Sequence, residues 1–159
     1  MNDLYVLDPV SMDWTNLSNA VSGTPPAARA FHGLTSANGM LYVHGGVDVD
    51  GNVLSDLHAF DPIVVAWTDL STPANGTMPT ARGMHGFTSA DGKLYVHGGQ
   101  DTDGNPLSDL HSFDTVAKVW TDLTDGAITP PSARYSHGFT SAGKRLYVHN
   151  GVGYSGTVD

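Results

Sequence analysis

Neither cysteine nor glutamate occurs anywhere in the 159-residue chain. The lack of Cys excludes a disulfide, a thiolate nucleophile and a thiolate metal ligand, so a reducing compartment is permitted but not required. The lack of Glu removes a strong helix former. All 16 acidic residues are Asp, which with 19 Gly makes the chain rich in turn formers and points to an all-β protein. Positive charge is also scarce: seven Lys plus Arg leave a formal charge of −9, which argues against a nucleic-acid backbone or an anionic membrane surface as partner. No apolar run approaches transmembrane length, and Met1-Asn2-Asp3-Leu4 has neither the basic start nor the apolar stretch of a secretory signal. Together with the missing Cys, this favours the cytoplasm. Asn16-Leu17-Ser18 and Asn75-Gly76-Thr77 fit the glycosylation pattern, which matters only in a secreted chain.

What is present is a repeat. Trp14, Trp67 and Trp120 are spaced 53 residues apart, and Asp3-Leu4-Tyr5 recurs as Asp56-Leu57-His58 and Asp109-Leu110-His111. Leu41-Tyr42-Val43-His44-Gly45-Gly46 returns as Leu94 to Gly99 and, as Leu-Tyr-Val-His-Asn-Gly, from Leu146 to Gly151. Units of this size cannot bury their own apolar faces, so they stack on their neighbours around one shared core. Residues 28–70 and 81–123 agree at about two thirds of aligned positions, which makes duplication the simplest origin.

Within residues 28–70, short β-prone runs alternate with turn signals at the spacing of an antiparallel meander. The expected strands are Phe31 to Ala37, Met40 to Gly45, Asp56 to Phe60 and Val64 to Asp69. Asn38-Gly39 is a two-residue hairpin signal and Asp61-Pro62 a second turn. If Asn38-Gly39 closes the hairpin, Ala37 pairs with Met40 and His44 stands opposite Gly33. Since side chains alternate faces along a strand, His32 and His44 then point opposite ways.

These residues resemble the kelch repeat. Its Arg and His before and in the first strand correspond to Arg29 and His32, its double Gly after the second to Gly45 and Gly46, its aromatic on the third to Phe60, and its Trp on the fourth to Trp67. The next copy supplies Arg82, His85, Gly98, Gly99, Phe113 and Trp120, and the last supplies Arg134 and His137. Leu7 stands in place of the aromatic in the first copy, and Asn150 in place of the first Gly in the third pair. The resemblance implies a β-propeller of four-stranded blades around a channel, with Trp14, Trp67 and Trp120 in the packing between blades.

On this reading the whole of 1–159 is one propeller half: a half blade over 3–17, blades over 28–70 and 81–123, and a half blade over 132–151. Each end exposes an unpaired strand edge that something must cover. Three blade equivalents fall short of the four to eight usual in propellers, so two chains head to tail would give a ring of about six blades. Gly46 to Asp56 is ten residues, and Gly151 to Asp3 across a join of Asp159 to Met1 is eleven, consistent with such a ring. The alternative is a piece of a longer propeller.

Arg29, Arg82 and Arg134 should share one rim with Asp48, Asp50, Asp101 and Asp103. This is the face where kelch proteins commonly receive protein or peptide partners, and His32, His85 and His137 join the arginines as binding-face candidates. An Arg fork suits a carboxylate, but fixing neighbouring blades is the competing role. Asp48-Val49-Asp50-Gly51-Asn52 and Asp101-Thr102-Asp103-Gly104-Asn105 resemble the first half of a calcium loop, without its closing Glu. A solvated Asp-Gly turn is the favoured explanation, since the third unit, Val152 to Gly156, drops the pattern altogether. The three histidines are expected to line the channel or to bond between blades rather than to ligate metal.

Kelch-type oxidases require a Cys and kelch-type lyases a metal-motif Glu, both absent from the sequence. No cofactor is therefore expected. The function expected is a non-catalytic scaffold that binds a protein or peptide through its rim loops, as a homodimer. The alternatives are a kelch-type enzyme acting on a small molecule or carbohydrate at the channel mouth, and an engineered or fragment propeller with no partner function.

Overall fold

The structure, a computed structural model, describes residues 2–19, 21–72, 75–126 and 128–154, without the side chain of Asn75. Among them there is no α-helix, and hence no helix long and apolar enough to cross a membrane. Two complete blades form the centre. In the first, β5 (Gly33–Ala37), β6 (Met40–Asp48), β7 (Val53–Asp61) and β8 (Ala66–Asp69) pair in sequence order, all antiparallel. In the second, β10 (Gly86–Ala90), β11 (Lys93–Gln100), β12 (Pro106–Asp114) and β13 (Val119–Asp122) repeat that order. Flanking them are two-stranded sheets: β1 (Tyr5–Asp8) with β2 (Asp13–Asn16), and β14 (Gly138–Ala142) with β15 (Arg145–His149). The innermost strands β5, β10 and β14 lie side by side, as inner strands do in a propeller.

Hairpin register follows the turn. Ala37 faces Met40 and Gly33 faces His44, as a two-residue loop at Asn38-Gly39 requires. The first strand is shorter than its β-prone run because Phe31 has φ 58°, in the left-handed region, and separates the dipeptide β4 (Arg29–Ala30) from β5. Met84 and Ser136 repeat that break with φ 55° and 52°. The second and third strands are longer than their predicted runs, reaching Asp48 and starting at Val53, because the chain pairs through the double glycine by a bulge rather than ending there. Gly45 and Gly46 (φ 59° and 100°) make that bulge, and a methyl group on Gly45 would lie 2.7 Å from the Arg82 carbonyl oxygen. The close approach is used: Gly46 N–H donates to Arg82 O at 2.9 Å, and Gly99 N–H to Arg134 O at 2.9 Å, tying each blade to the next.

A feature without a sequence signal lies on the outside. The linker into the first blade runs as β3 (Ser22–Gly23), parallel to β8, and β9 (Asn75–Gly76) does the same beside β13. The dipeptides become the outermost strands of their sheets.

The core sits between blades. Tyr42, Leu57 and Ala59 of the first blade are buried against Phe87, Leu94, Val96 and Trp120 of the second. On the first blade's other face, Val43, Phe60 and Trp67 pack with Leu4, Leu17 and Val21 from the flanking β1–β2 region. Within each blade the aromatic of the third strand faces the Trp of the fourth, with ring centroids 5.1 Å apart for Phe60–Trp67 and for Phe113–Trp120. Such pairs supply large buried area at low entropy cost.

Candidate functional site

Where the first strand of each blade enters, an arginine reaches across its own sheet. Arg29 donates from Nη1 and Nη2 to the two carboxylate oxygens of Asp56, at 2.5 and 2.7 Å, and from Nη1 to Gly45 O at 2.9 Å. Arg82 reproduces this with Asp109 at 2.6 and 2.7 Å and with Gly98 O at 3.0 Å. The arginine side chains are essentially buried, whereas the carboxylates keep some solvent contact. His58 and His111 add a second partner to those carboxylates, each with Nε2 3.0 Å from an oxygen. Partial burial works to raise the Asp56 and Asp109 pKa values, but the arginine and histidine hydrogen bonds override it and hold both well below the usual carboxylate range.

Arg134 has the same surroundings minus the carboxylate. It donates to Ser132 O, Asn150 O and Ser132 Oγ at 3.0, 2.8 and 2.9 Å, and makes no salt bridge among the described residues.

The histidines pair across blades. His44 Nδ1 is 3.1 Å from His85 Nε2, and His97 Nδ1 is 3.1 Å from His137 Nε2, with the rings nearly perpendicular in each pair. One ring must donate and the other accept, which two neutral imidazoles of suitable tautomer can do. Burial lowers the His44 pKa to about 3, with the Arg82 charge adding to the effect. His85 lies well below 6.5 for the same reason, with His44 and Arg82 contributing. His97 and His137 are lowered to about 4, again chiefly by burial. His32, which leads into the first complete blade, and His149 on the flanking β15 stand at the equivalent positions and are exposed.

The two Asp-rich loops are self-contained. Asp48 Oδ1 accepts the N–H groups of Asp50 and Asn52 at 2.9 and 2.8 Å, and its Oδ2 accepts Asn52 Nδ2 at 2.8 Å. Asp101 repeats this with Asp103 and Asn105 at 2.9, 2.8 and 3.1 Å. Both carboxylates are thus occupied as loop staples, while Asp50 and Asp103 face solvent. No group of three or more His or Asp side chains is gathered in a metal-holding arrangement among the described residues. Trp67 and Trp120 are 8% and 1% exposed. Trp14, expected beside them in the core, is 66% exposed, because no described blade covers β1–β2 on that side.

The geometry gathers the sequence's candidates in a particular way: Arg29 and Arg82 tie their own sheets, while His85 and His137 tie neighbouring ones. This repeated set of ties goes together with a match of residues 1–155 to a family model described as the KLHDC2/KLHL20/DRC7 Kelch-repeats domain. The chain belongs to the kelch-repeat family.

Among the kelch chain's relatives is a Rab9 effector protein with kelch motifs from Gallus gallus, 38% identical over 70% of this chain and 30% of the relative. An N-(sulfonatooxy)prop-2-enimidothioate sulfolyase from Thlaspi arvense is 28% identical over 94% of the chain and 47% of the relative. Kelch domain-containing protein 3 from Rattus norvegicus is 28% identical over 94% and 40%. The chain thus spans less than half the length of each of these three. Both a named effector and a named lyase occur among them, so kinship fixes the repeat family without choosing between binding and catalysis.

Sequence reasoning did not find the arginine partners. The signal was available: Arg29 to Asp56 and Arg82 to Asp109 are both 27 residues apart.

Proposed function

We propose that this kelch chain is a non-catalytic scaffold that binds a protein or peptide partner through its rim loops and closes by pairing head to tail with a second copy. One observation carries the reading. Four of the six groups that could do chemistry near the channel mouth are committed to structure, Arg29 and Arg82 to carboxylate pairs and His85 and His137 to neighbouring rings, which leaves His32 and Arg134. The rest is a rigid frame presenting hydrogen-bonded loops, with Val49 and Asp50 at the tip of one and Thr102 and Asp103 at the tip of the other. Loops held on a stiff scaffold are suited to recognition, and acidic tips on a chain of formal charge −9 favour a basic segment.

The test is affinity capture with the wild-type chain and an Asp50→Lys/Asp103→Lys variant side by side, with Ile63→Lys/Val116→Lys altering the turns between third and fourth strands as a control. A partner retained by wild type and control but lost from the loop variant is expected. Retention that ignores the loop tips would overturn the reading.

A second reading, a small-molecule site, is favoured by one feature. A cavity of about 440 Å³ opens between the β1–β2 sheet and the first blade, with Arg29 and His32 in its lining. A ligand ordered there, bound with a stoichiometry of one per chain, would favour that reading.

A further inference from the structure

The contacts between the two complete blades recur in so regular a form that they describe what each outer sheet still has open. At the interior junction, Tyr42 of the first blade is 4% exposed, lying with Leu57 against Leu94, Val96 and Trp120 of the second. Tyr147, the equivalent residue on β15, is 49% exposed. Conversely, Leu41, Val43 and Trp67, the equivalents of Leu94, Val96 and Trp120, line the cavity beside Leu34 and Leu4. The missing apolar occupant of that cavity has the shape of a strand carrying a tyrosine, and β15 is a strand whose tyrosine is left half open among the described residues.

Polar groups fall into the same pattern. Arg134 keeps every backbone and hydroxyl partner that Arg82 has, but no carboxylate among the described residues. Asp3 occupies the repeat position of Asp56 and Asp109 and is exposed, within the lining of the same cavity. His44 and His97 each meet the histidine of the next blade, whereas His149 and His32 meet no other histidine among the described residues. Ser89 Oγ donates to Ser36 O and Ser141 Oγ to Ser89 O, both at 2.6 Å, so Ser36 is left without the equivalent acceptor from a preceding strand. A bidentate Arg–carboxylate pair is specific in geometry as well as charge, which makes Arg134 and Asp3 the element that sets register.

Resting on the reading that two copies pair, we infer that the seam between them is a composite blade in which β14–β15 of one copy completes β1–β2 of the other. Arg134 is clamped on Asp3 of the second copy, His149 on its His32, and Tyr147 sits in its cavity against Leu41 and Val43. Trp14 of the second copy then covers the half-buried Tyr95 and Leu110 of the first. The contact is head to tail, and a two-fold ring contains it twice.

The seam is tested by charge reversal in two separate chains, Arg134→Asp and Asp3→Arg, with mass measured by light scattering and native mass spectrometry. Wild type is expected at twice the chain mass of 16.7 kDa. Each variant alone places like charges at both seams and is expected to weaken dimerisation on the order of a hundredfold or more. When the two variants are mixed, a dimer of one chain of each kind has opposite charges at both seams. One seam joins the two substituted positions with their charges exchanged, and the other joins the unsubstituted Arg134 and Asp3, so the mixture is expected to recover the dimer. Recovery also establishes that both variants fold. A monomeric wild-type chain would overturn the pairing itself. A wild-type dimer that survives either substitution, or two variants that fail to rescue each other, would overturn the seam while leaving pairing in place.

Discussion

The buried histidine pairs make stability depend on pH in a calculable way. His44 is fully buried, and burial lowers its pKa from 6.5 to about 3, so in the folded state it stays neutral far into acid. In the unfolded chain the same ring takes up a proton near its ordinary value. Protonation therefore favours unfolding, and the stability contributed by the neutral ring declines as pH falls from 6.5 toward about 3. At about pH 5.5 an unfolded histidine is roughly nine-tenths protonated, and the loss relative to about pH 7.5 is about 1.4 kcal/mol for His44 alone. His85 adds to it in the same direction. The depressed carboxylates Asp56 and Asp109 also lose their contribution as pH falls, but mainly below about 5, so the window above that belongs to the histidines. The assay is urea unfolding followed by tryptophan fluorescence across that window at fixed chain concentration, since a pairing chain has concentration-dependent stability. His44→Gln is expected to be less stable at neutral pH, with a shallower pH slope by about one proton. Stability that is flat from about pH 7.5 to about 5.5, or a variant with an unchanged slope, would refute the account.

Three further outcomes follow from the packing. Arg82→Ala leaves the Asp109 carboxylate without its bidentate donor and is expected to cost about 3 to 5 kcal/mol in urea unfolding. Gly86→Ala puts a methyl group 2.4 Å from the Phe139 Cβ across the blade junction, so hydrogen exchange should show lost protection in both β10 and β14. In contrast, Gly104→Ala has open space around it at φ 80°, so it should cost only the backbone strain of about 1 to 2 kcal/mol and leave that exchange unchanged.

Much of this was legible because a repeat reports each feature more than once. The Trp spacing, the Asn38-Gly39 hairpin and its pairing of Gly33 with His44 follow from local rules that a single strand pair obeys. What connects separate sheets was less legible. The meeting of His44 with His85 depends on how two blades lie face to face, which no turn type fixes, and the left-handed Phe31, Met84 and Ser136 occupy positions where composition predicts plain strand. Asp56 and Asp109 were legible only as members of a repeated Asp-Leu pair, since their constant 27-residue offset from an arginine becomes a contact only once first and third strands share a sheet. Trp14 shows the opposite error: its type is that of a core residue, but whether it is covered depends on a neighbour outside its own unit.

The parallel dipeptides β3 and β9 have a consequence for crowding. An outermost strand ordinarily offers passing chains a row of free amides and carbonyls, an invitation to aggregate. Here that row on β8 and β13 meets a segment that arrives from the preceding blade and is only two residues long. The outer rim of the two complete blades therefore shows strangers nothing longer than a dipeptide to zip onto, and it does so without lysines or prolines placed on β8 or β13 themselves.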